Sequence, residues 1–362
     1  QKTAYEIGVR LVGSEMCIRD RYMGFLMSEP TSTTCTQLSE VMNISHDSVN
    51  RFLLRESYVA EDLFNESKKL LNLVGGTLSV DDSTLDKPYS QHMALVSHFW
   101  SGKHHRVVKG LNLITLYYTD VEGVHLPVNY RLYDKSENKT KNDYFKDMML
   151  EVLAWGLKPS VVTGDSWYSC INNLKMVKNH QLGLLFAIES NRRVSVEKGQ
   201  WIQVQALTDI PADGLAVWLR DFGLVKLFRA RLKDQLRHYV VLMPDSSRQE
   251  TFNEKSFQAL HDNHWKIEQY HRMIKQVCHI ESFQVRGKIP ISNHIFAALC
   301  SYVHLQKMQI NEVFLNAYRW QRALYTKVVE SFVRGFLTDK DYLNPQFGNE
   351  PIATAAKSKG DT

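Results

Sequence analysis

Two short apolar runs in this chain end in carboxylates. Residues 77–82, TLSVDD, are an extended run that closes on Asp81 and Asp82. Residues 160–165, SVVTGD, are a second such run, closed by Gly164 and Asp165. Carboxylates at strand ends can converge at one edge of a sheet. There they repel one another unless a cation neutralises them. Hard oxygen ligands of this kind suit Mg²⁺ or Mn²⁺. A chain that gathers such acids is therefore constrained to bring the ends of separate strands together.

The surrounding pattern says which sheet this is. Leu111–Thr119, LNLITLYYT, is rich in β-branched and aromatic residues and reads as a strand. Asp120–Gly123 supplies a turn, and Val124–Tyr133 returns as its partner. Asn142–Trp155 has helical periodicity, with Tyr144, Phe145, Met148, Met149, Val152 and Leu153 toward a core. Residues 170–180 are helical again, and Gly183–Ile188 is a buried strand. Strand, strand, strand, helix, strand, helix, strand is a mixed α/β sheet that begins with a meander. Alternating runs over residues 190–248 predict a β-rich insertion. Residues 249–337 read as helical, and residues 338–362 as a mobile tail.

Upstream, residues 22–74 read as an all-α region. Thr36–Arg55 fits two short helices sharing one apolar set, with a turn at Asn43–Ser45 and Ser45 as the N-cap of the second. This helix-turn-helix-like pattern exposes Asn50 and Arg51. A DNA-binding unit and a plain helical hairpin both remain open. Residues 1–21 connect to nothing downstream and read as a non-native, translated read-through segment.

Composition excludes several classes. No run of about 18 apolar residues predicts a membrane span. The five cysteines form no CxxC pair, which argues against a disulfide framework or a structural zinc site and fits a reducing cytoplasm. The net charge of +5 is modest, but ten Lys/Arg face four Asp/Glu between residues 266 and 334. Basic surface concentrated in one segment points to an anionic partner.

The third acid lies in that segment, in HWKIEQYHRMIKQ at 264–276. At about 100° per residue from Trp265, Glu268 falls near 300°, Arg272 near 340° and Lys275 near 280°. Ile267, Tyr270, Ile274 and Val277 fall between about 120° and 200°. Such a helix packs one face on a sheet and presents a carboxylate flanked by cations on the other. Cations beside such a carboxylate make sense where phosphates approach.

Taken together, VDDSTLDK at 80–87, VVTGDSWY at 161–168 and HWKIEQYHRMIKQ at 264–276 resemble DDE transposases of bacterial insertion sequences, in the broad IS4-like group. The resemblance covers about residues 75–305. It implies a ribonuclease H-like core (75–189, completed by 249–337) interrupted by the β-rich insertion. It implies Asp81, Asp165 and Glu268 as catalytic acids holding two Mg²⁺ or Mn²⁺ ions, with Asp82 an adjacent alternative for the first acid. Gaps of 84 and 103 residues between the three acids suit that arrangement. His261 and His264 stand where the family often has Tyr and Arg.

The implied partner is double-stranded DNA, at element ends and target, engaged by a homodimer in the bacterial cytoplasm at the nucleoid. Candidate DNA contacts are Asn50, Arg51, Lys87, Arg106, Lys109, His264, Trp265, Arg272, Lys275, Arg286 and Lys288. The expected activity is metal-dependent strand cleavage and strand transfer. A nuclease that only hydrolyses, and a retired element protein that only binds DNA, are the alternatives.

Overall fold

The computed structural model describes residues 18–29, 33–42, 44–102, 104–232 and 235–338. Helix α1 spans residues 18–28. Then come α2 (Cys35–Met42), α3 (His46–Arg55), α4 (Ala60–Ser67), β1 (Thr77–Asp86), β2 (Ser97–Ser101), β3 (Arg106–Thr119) and β4 (His125–Leu132). Helix α5 (Lys141–Ala154), β5 (Val161–Gly164), α6 (Ile171–Asn179) and β6 (Gly183–Ile188) follow. Five further strands are β7 (Arg193–Ser195), β8 (Ile202–Gln203), β9 (Leu215–Leu219), β10 (Gly223–Leu232) and β11 (Gln235–Leu242). The chain continues with α7 (Ser246–Thr251), α8 (Glu254–Gln276), α9 (Lys288–Ile310) and α10 (Ala317–Thr338).

Strand β1 is central. It runs antiparallel to β3 along its whole length and parallel to β5. Strand β3 is long enough to take β2 along Arg106–Gly110 and β4 along Leu113–Thr119. Helices α5 and α6 return the chain so that β5 and β6 lie parallel. The path β4-β3-β1-β5-β6 is the mixed, meander-first sheet expected of a ribonuclease H-like core. Thr140 caps α5 by accepting from the N–H of Asp143, whose carboxylate accepts from the N–H of Thr140.

Strand parity divides the core. On one face Val80, Ile114, Leu116, Val162 and Phe186 pack with Phe145, Met148, Leu174 and Val177 of α5 and α6. On the other, Leu85, Leu111, Leu113 and Tyr117 pack with Ile267, Tyr270 and Ile274 of α8 and with α9. The apolar stripe expected on α8 is thus the stripe it buries. Gly164 permits the close approach of β5 to its neighbours: a Cβ there would lie 2.5 Å from the Phe186 ring and 2.9 Å from Val80.

Three expectations change in detail. The β-rich stretch 190–248 continues the core sheet, because β11 pairs antiparallel with β6 and carries β10, β9, β7 and β8 outward. Val194, Val217, Val225 and Val240 belong to the same apolar cluster as α5 and α6. The N-terminal helices likewise share a core with α9: Tyr22, Leu26, Val49, Phe52 and Leu63 pack in the cluster that holds Ile295 and Leu299. Asn293, buried on α9, donates to the carbonyls of Leu53 and Glu56, which the end of α3 leaves without helical partners. Ser45 stands at the N-cap of α3 in extended backbone, but its side chain makes no capping bond.

Residues 1–17 of the segment read as foreign lie outside the described residues. Residues 18–21 begin α1, and Ile18 packs against the shared core. Of the tail 338–362, residues 339–362 lie outside the described residues. No helix among the described residues is long and apolar enough to cross a membrane.

Candidate active site

Adjacent residues of a strand point to opposite faces, and β1 applies this to its two acids. Asp81 shares the face of Ser79 and Leu85, under α8. Asp82 shares the face of Val80, toward α5. The parallel register pairs Val80 with Gly164. Asp81 and Asp165 therefore follow the last register pair on neighbouring strands.

Helix α8 crosses above this edge. A polar line fixes it there. Ser79 Oγ and Thr163 Oγ1 are 2.8 Å apart, and Thr163 Oγ1 lies 3.1 Å from His264 Nδ1. One turn further, Glu268 faces the sheet edge. Asp81, Glu268 and His271 each bring a ligand atom within 4.8 Å of the others. The three line an open cleft of about 730 Å³ with Asp82, Ser83, Trp100, Arg272 and Lys275. Asp165 is not in that compact group. It is half-buried, in extended backbone, and its Oδ1 accepts from the N–H groups of Trp167 and Tyr168.

The electrostatics of the two β1 acids differ sharply. Asp82 Oδ2 accepts from Asn112 Nδ2 at 2.6 Å and pairs with Lys141 Nζ at 2.7 Å. Its Oδ1 accepts from Tyr168 Oη at 3.0 Å. Asp81 is 8% exposed, and its Oδ1 accepts only the N–H of Asp82, at 2.8 Å, among the described hydrogen bonds. Burial, then Glu268, then Asp82 push the Asp81 carboxyl well above its ordinary range. Burial, then Asp81 and Asp82, push Asp165 up to about 8. This donor set fits a divalent cation, which would relieve the repulsion that adds to burial in pushing Asp81 and Asp165 up.

Sequence reading missed His271. Its Nδ1 lies 3.5 Å from Asp81 Oδ2, and burial lowers its pKa to about 4, which keeps the ring neutral. The signal was available: His271 follows Glu268 by three residues, near 240° on the same helical projection. The partners of Asp82, on β3, α5 and the turn after β5, had no local signal.

The expected DNA contacts divide. Arg51, Arg106, Trp265, Arg272 and Arg286 are exposed. Asn50 is half-buried and bonds to the His46 ring. Lys87 is a correction. It is 9% exposed, and its Nζ donates to the carbonyls of Glu281 and Phe283 at 2.5 and 2.6 Å, over the Phe283 ring. It ties the end of β1 to the segment after α8 and does not face DNA. His264 is half-buried, with Nδ1 3.1 Å from Thr163 Oγ1, and burial lowers its pKa to about 4.

Lys275 donates to the Thr84 carbonyl at 2.7 Å and pairs with Glu281 at 3.3 Å. Lys288 pairs with Asp134 at 2.8 Å. Lys109 belongs to β3, where its Nζ donates to the Ser90 carbonyl. Arg106 and Lys109 both lie on β3, where it pairs with β2 as a hairpin.

The molecule is thus a mixed α/β sheet with a meander-first order and a cleft lined by the carboxylates of Asp81 and Glu268. The transposase DDE domain family matches residues 75–303, and the chain belongs to that family of DNA transposases, metal-dependent enzymes of DNA strand cleavage. No curated protein matches the sequence. Among solved structures, a Drosophila P element transposase strand transfer complex aligns with 91% of this chain and 87% of its own. Identity is 8% and the TM-score 0.28, a likeness too low to carry weight.

Proposed function

We propose that the protein cuts DNA at the ends of an insertion sequence and joins the freed 3′ ends to target DNA. In this reading Asp81, Asp165 and Glu268 are the acids that hold two Mg²⁺ or Mn²⁺ ions. The observation that carries it is the meeting of Asp81 and Glu268 in one cleft, 187 residues apart in the chain, with Asp165 just after the neighbouring strand β5. Asp81 is preferred to Asp82 as first acid because Asp82 is already neutralised by Lys141 on the opposite face.

When bound, divalent cations neutralise the carboxylates, activate the attacking oxygen and stabilise the leaving one. The chain's own residues do the rest. Asp81, Asp165 and Glu268 set where the scissile phosphate sits. Arg272, on the rim of the cleft, and the exposed Arg106 and Arg286 hold the DNA backbone. Trp265 offers a ring for an unpaired base. Water attacks the phosphodiester, the bond from phosphorus to the 3′ oxygen breaks, and a 3′ hydroxyl is left. That hydroxyl then attacks a target phosphodiester and displaces its 3′ oxygen. Helices of residues 22–74 contact the element ends, and two copies of the chain act on one pair of ends.

The test is Mg²⁺-dependent cutting and joining of duplex DNA that carries the element's own flanking ends. Wild type cuts and joins; Asp165→Ala and Glu268→Ala lose both activities and keep DNA binding. Cutting that survives both substitutions would place the chemistry elsewhere. Cutting without joining would identify a nuclease.

A further inference from the structure

We propose that His271 is a metal ligand, so that one divalent cation is held between Asp81 of β1 and the Glu268–His271 pair of α8. This rests on the cleft being the metal site and adds a nitrogen to a set otherwise made of oxygens.

Three independent observations support it. The ligand atoms of the three residues lie within 4.8 Å of one another. Glu-x-x-His places a carboxylate and an imidazole three residues apart on one helix face, a spacing that helices use to hold metals. The His271 ring is 5% exposed, with Nδ1 directed at Asp81 and Nε2 buried without a hydrogen-bond partner among the described residues. Nδ1, the nitrogen that would bind the ion, lies 3.5 Å from Asp81 Oδ2, longer than an ordinary hydrogen bond. A ring that turns one nitrogen to a cation needs Asp81 and Glu268 where they are.

An imidazole beside two carboxylates also changes which ions are favoured. Nitrogen ligands suit the later first-row metals better than Mg²⁺, so the site should hold Mn²⁺ more tightly than Mg²⁺. Tyr270, between the two ligands, points to the opposite side and packs against Tyr117 and Tyr302. Its ring anchors the turn of helix that carries both.

The experiment uses Mn²⁺ alone with the full chain and electron spin-echo envelope modulation, which detects nitrogen bonded to the ion. Wild type is expected to show nitrogen modulation that changes when only histidine is labelled with ¹⁵N. His271→Phe is expected to lose it and to weaken Mn²⁺ binding by roughly tenfold or more. The labelled wild type decides the matter even where the variant does not fold. Mn²⁺ that binds in dependence on Asp81 and Glu268 but shows no histidine nitrogen overturns the role of His271 and leaves the three-acid reading standing. Mn²⁺ binding indifferent to Asp81→Asn and Glu268→Gln overturns both.

Discussion

Asp81 and Asp82 are neighbours in the chain, and the fold treats them in opposite ways. On the α5 face, Asp82 is supplied with an ammonium, an amide and a phenol. On the α8 face, Asp81 meets another carboxylate and the His271 imidazole. The first arrangement is what stability asks of a half-buried charge. The second leaves carboxylates in mutual repulsion, which either a proton or a cation relieves. Two faces of one strand thus separate a charge that holds β1, β3 and α5 together from the one that the proposed function assigns to metal binding.

The largest expected effect breaks this contrast directly. Asp81→Asn should lose several kcal/mol of charge stabilisation in the reaction, about 10³-fold in cleavage rate, without lowering the stability of the metal-free protein. Asp82→Asn should do the reverse. It leaves Lys141 partly buried and unpaired, at a cost of about 2 kcal/mol in urea denaturation, less than for a fully buried pair. Equal losses of Mn²⁺ affinity in the two variants would dissolve the distinction.

Next in size is a pH effect on the metal-free protein. Asp165 loses its proton near 3.8 when unfolded and near 8 when folded. Between those values the folded chain binds the extra proton, so stability falls as pH rises through that window. The Tm should drop between pH 5 and pH 8, at about 2–4 °C per kcal/mol. Asp165→Asn should flatten the slope, and Mg²⁺ should restore more stability at pH 8 than at pH 6. A slope unchanged by Asp165→Asn would mean that this carboxyl is not strained.

The smallest effect concerns cations. Arg272→Ala should reduce the salt dependence of DNA binding by about one unit of slope, as one lost phosphate contact does. Lys87→Met should leave that slope alone and cost about 1 kcal/mol of stability through its carbonyl bonds. A slope that falls for Lys87→Met would return it to the DNA surface.

Much of the core was legible locally. Gly183–Ile188 reads as a strand because six buried residues in a row leave no other short element, and β6 has those bounds. The stripe of Ile267, Tyr270 and Ile274 fixes the buried face of α8 without reference to any partner. The β2–β3 hairpin was not legible, because Lys, His and Arg residues at its turn carry no apolar alternation. Lys87 misled for a related reason. Its charge suggests surface, and only the carbonyls of Glu281 and Phe283, brought from nearly 200 residues away, make burial tolerable.

The sequence by itself determined the apolar strands that carry the acids, the two-faced helix and their order along the chain, although β1 runs past Asp81 and Asp82 to Asp86. Those are short-range properties, set by the period of two in a strand and 3.6 in a helix. Tertiary structure alone decided which acid of β1 lies beneath α8. Both faces of β1 carry apolar residues, so alternation separates Asp81 from Asp82 without saying which helix covers which. The same holds for the sheet shared with residues 190–248, for the core shared by the N-terminal helices and α9, and for His271 meeting Asp81. Each depends on contacts between distant segments, and local periodicity carries no information about them.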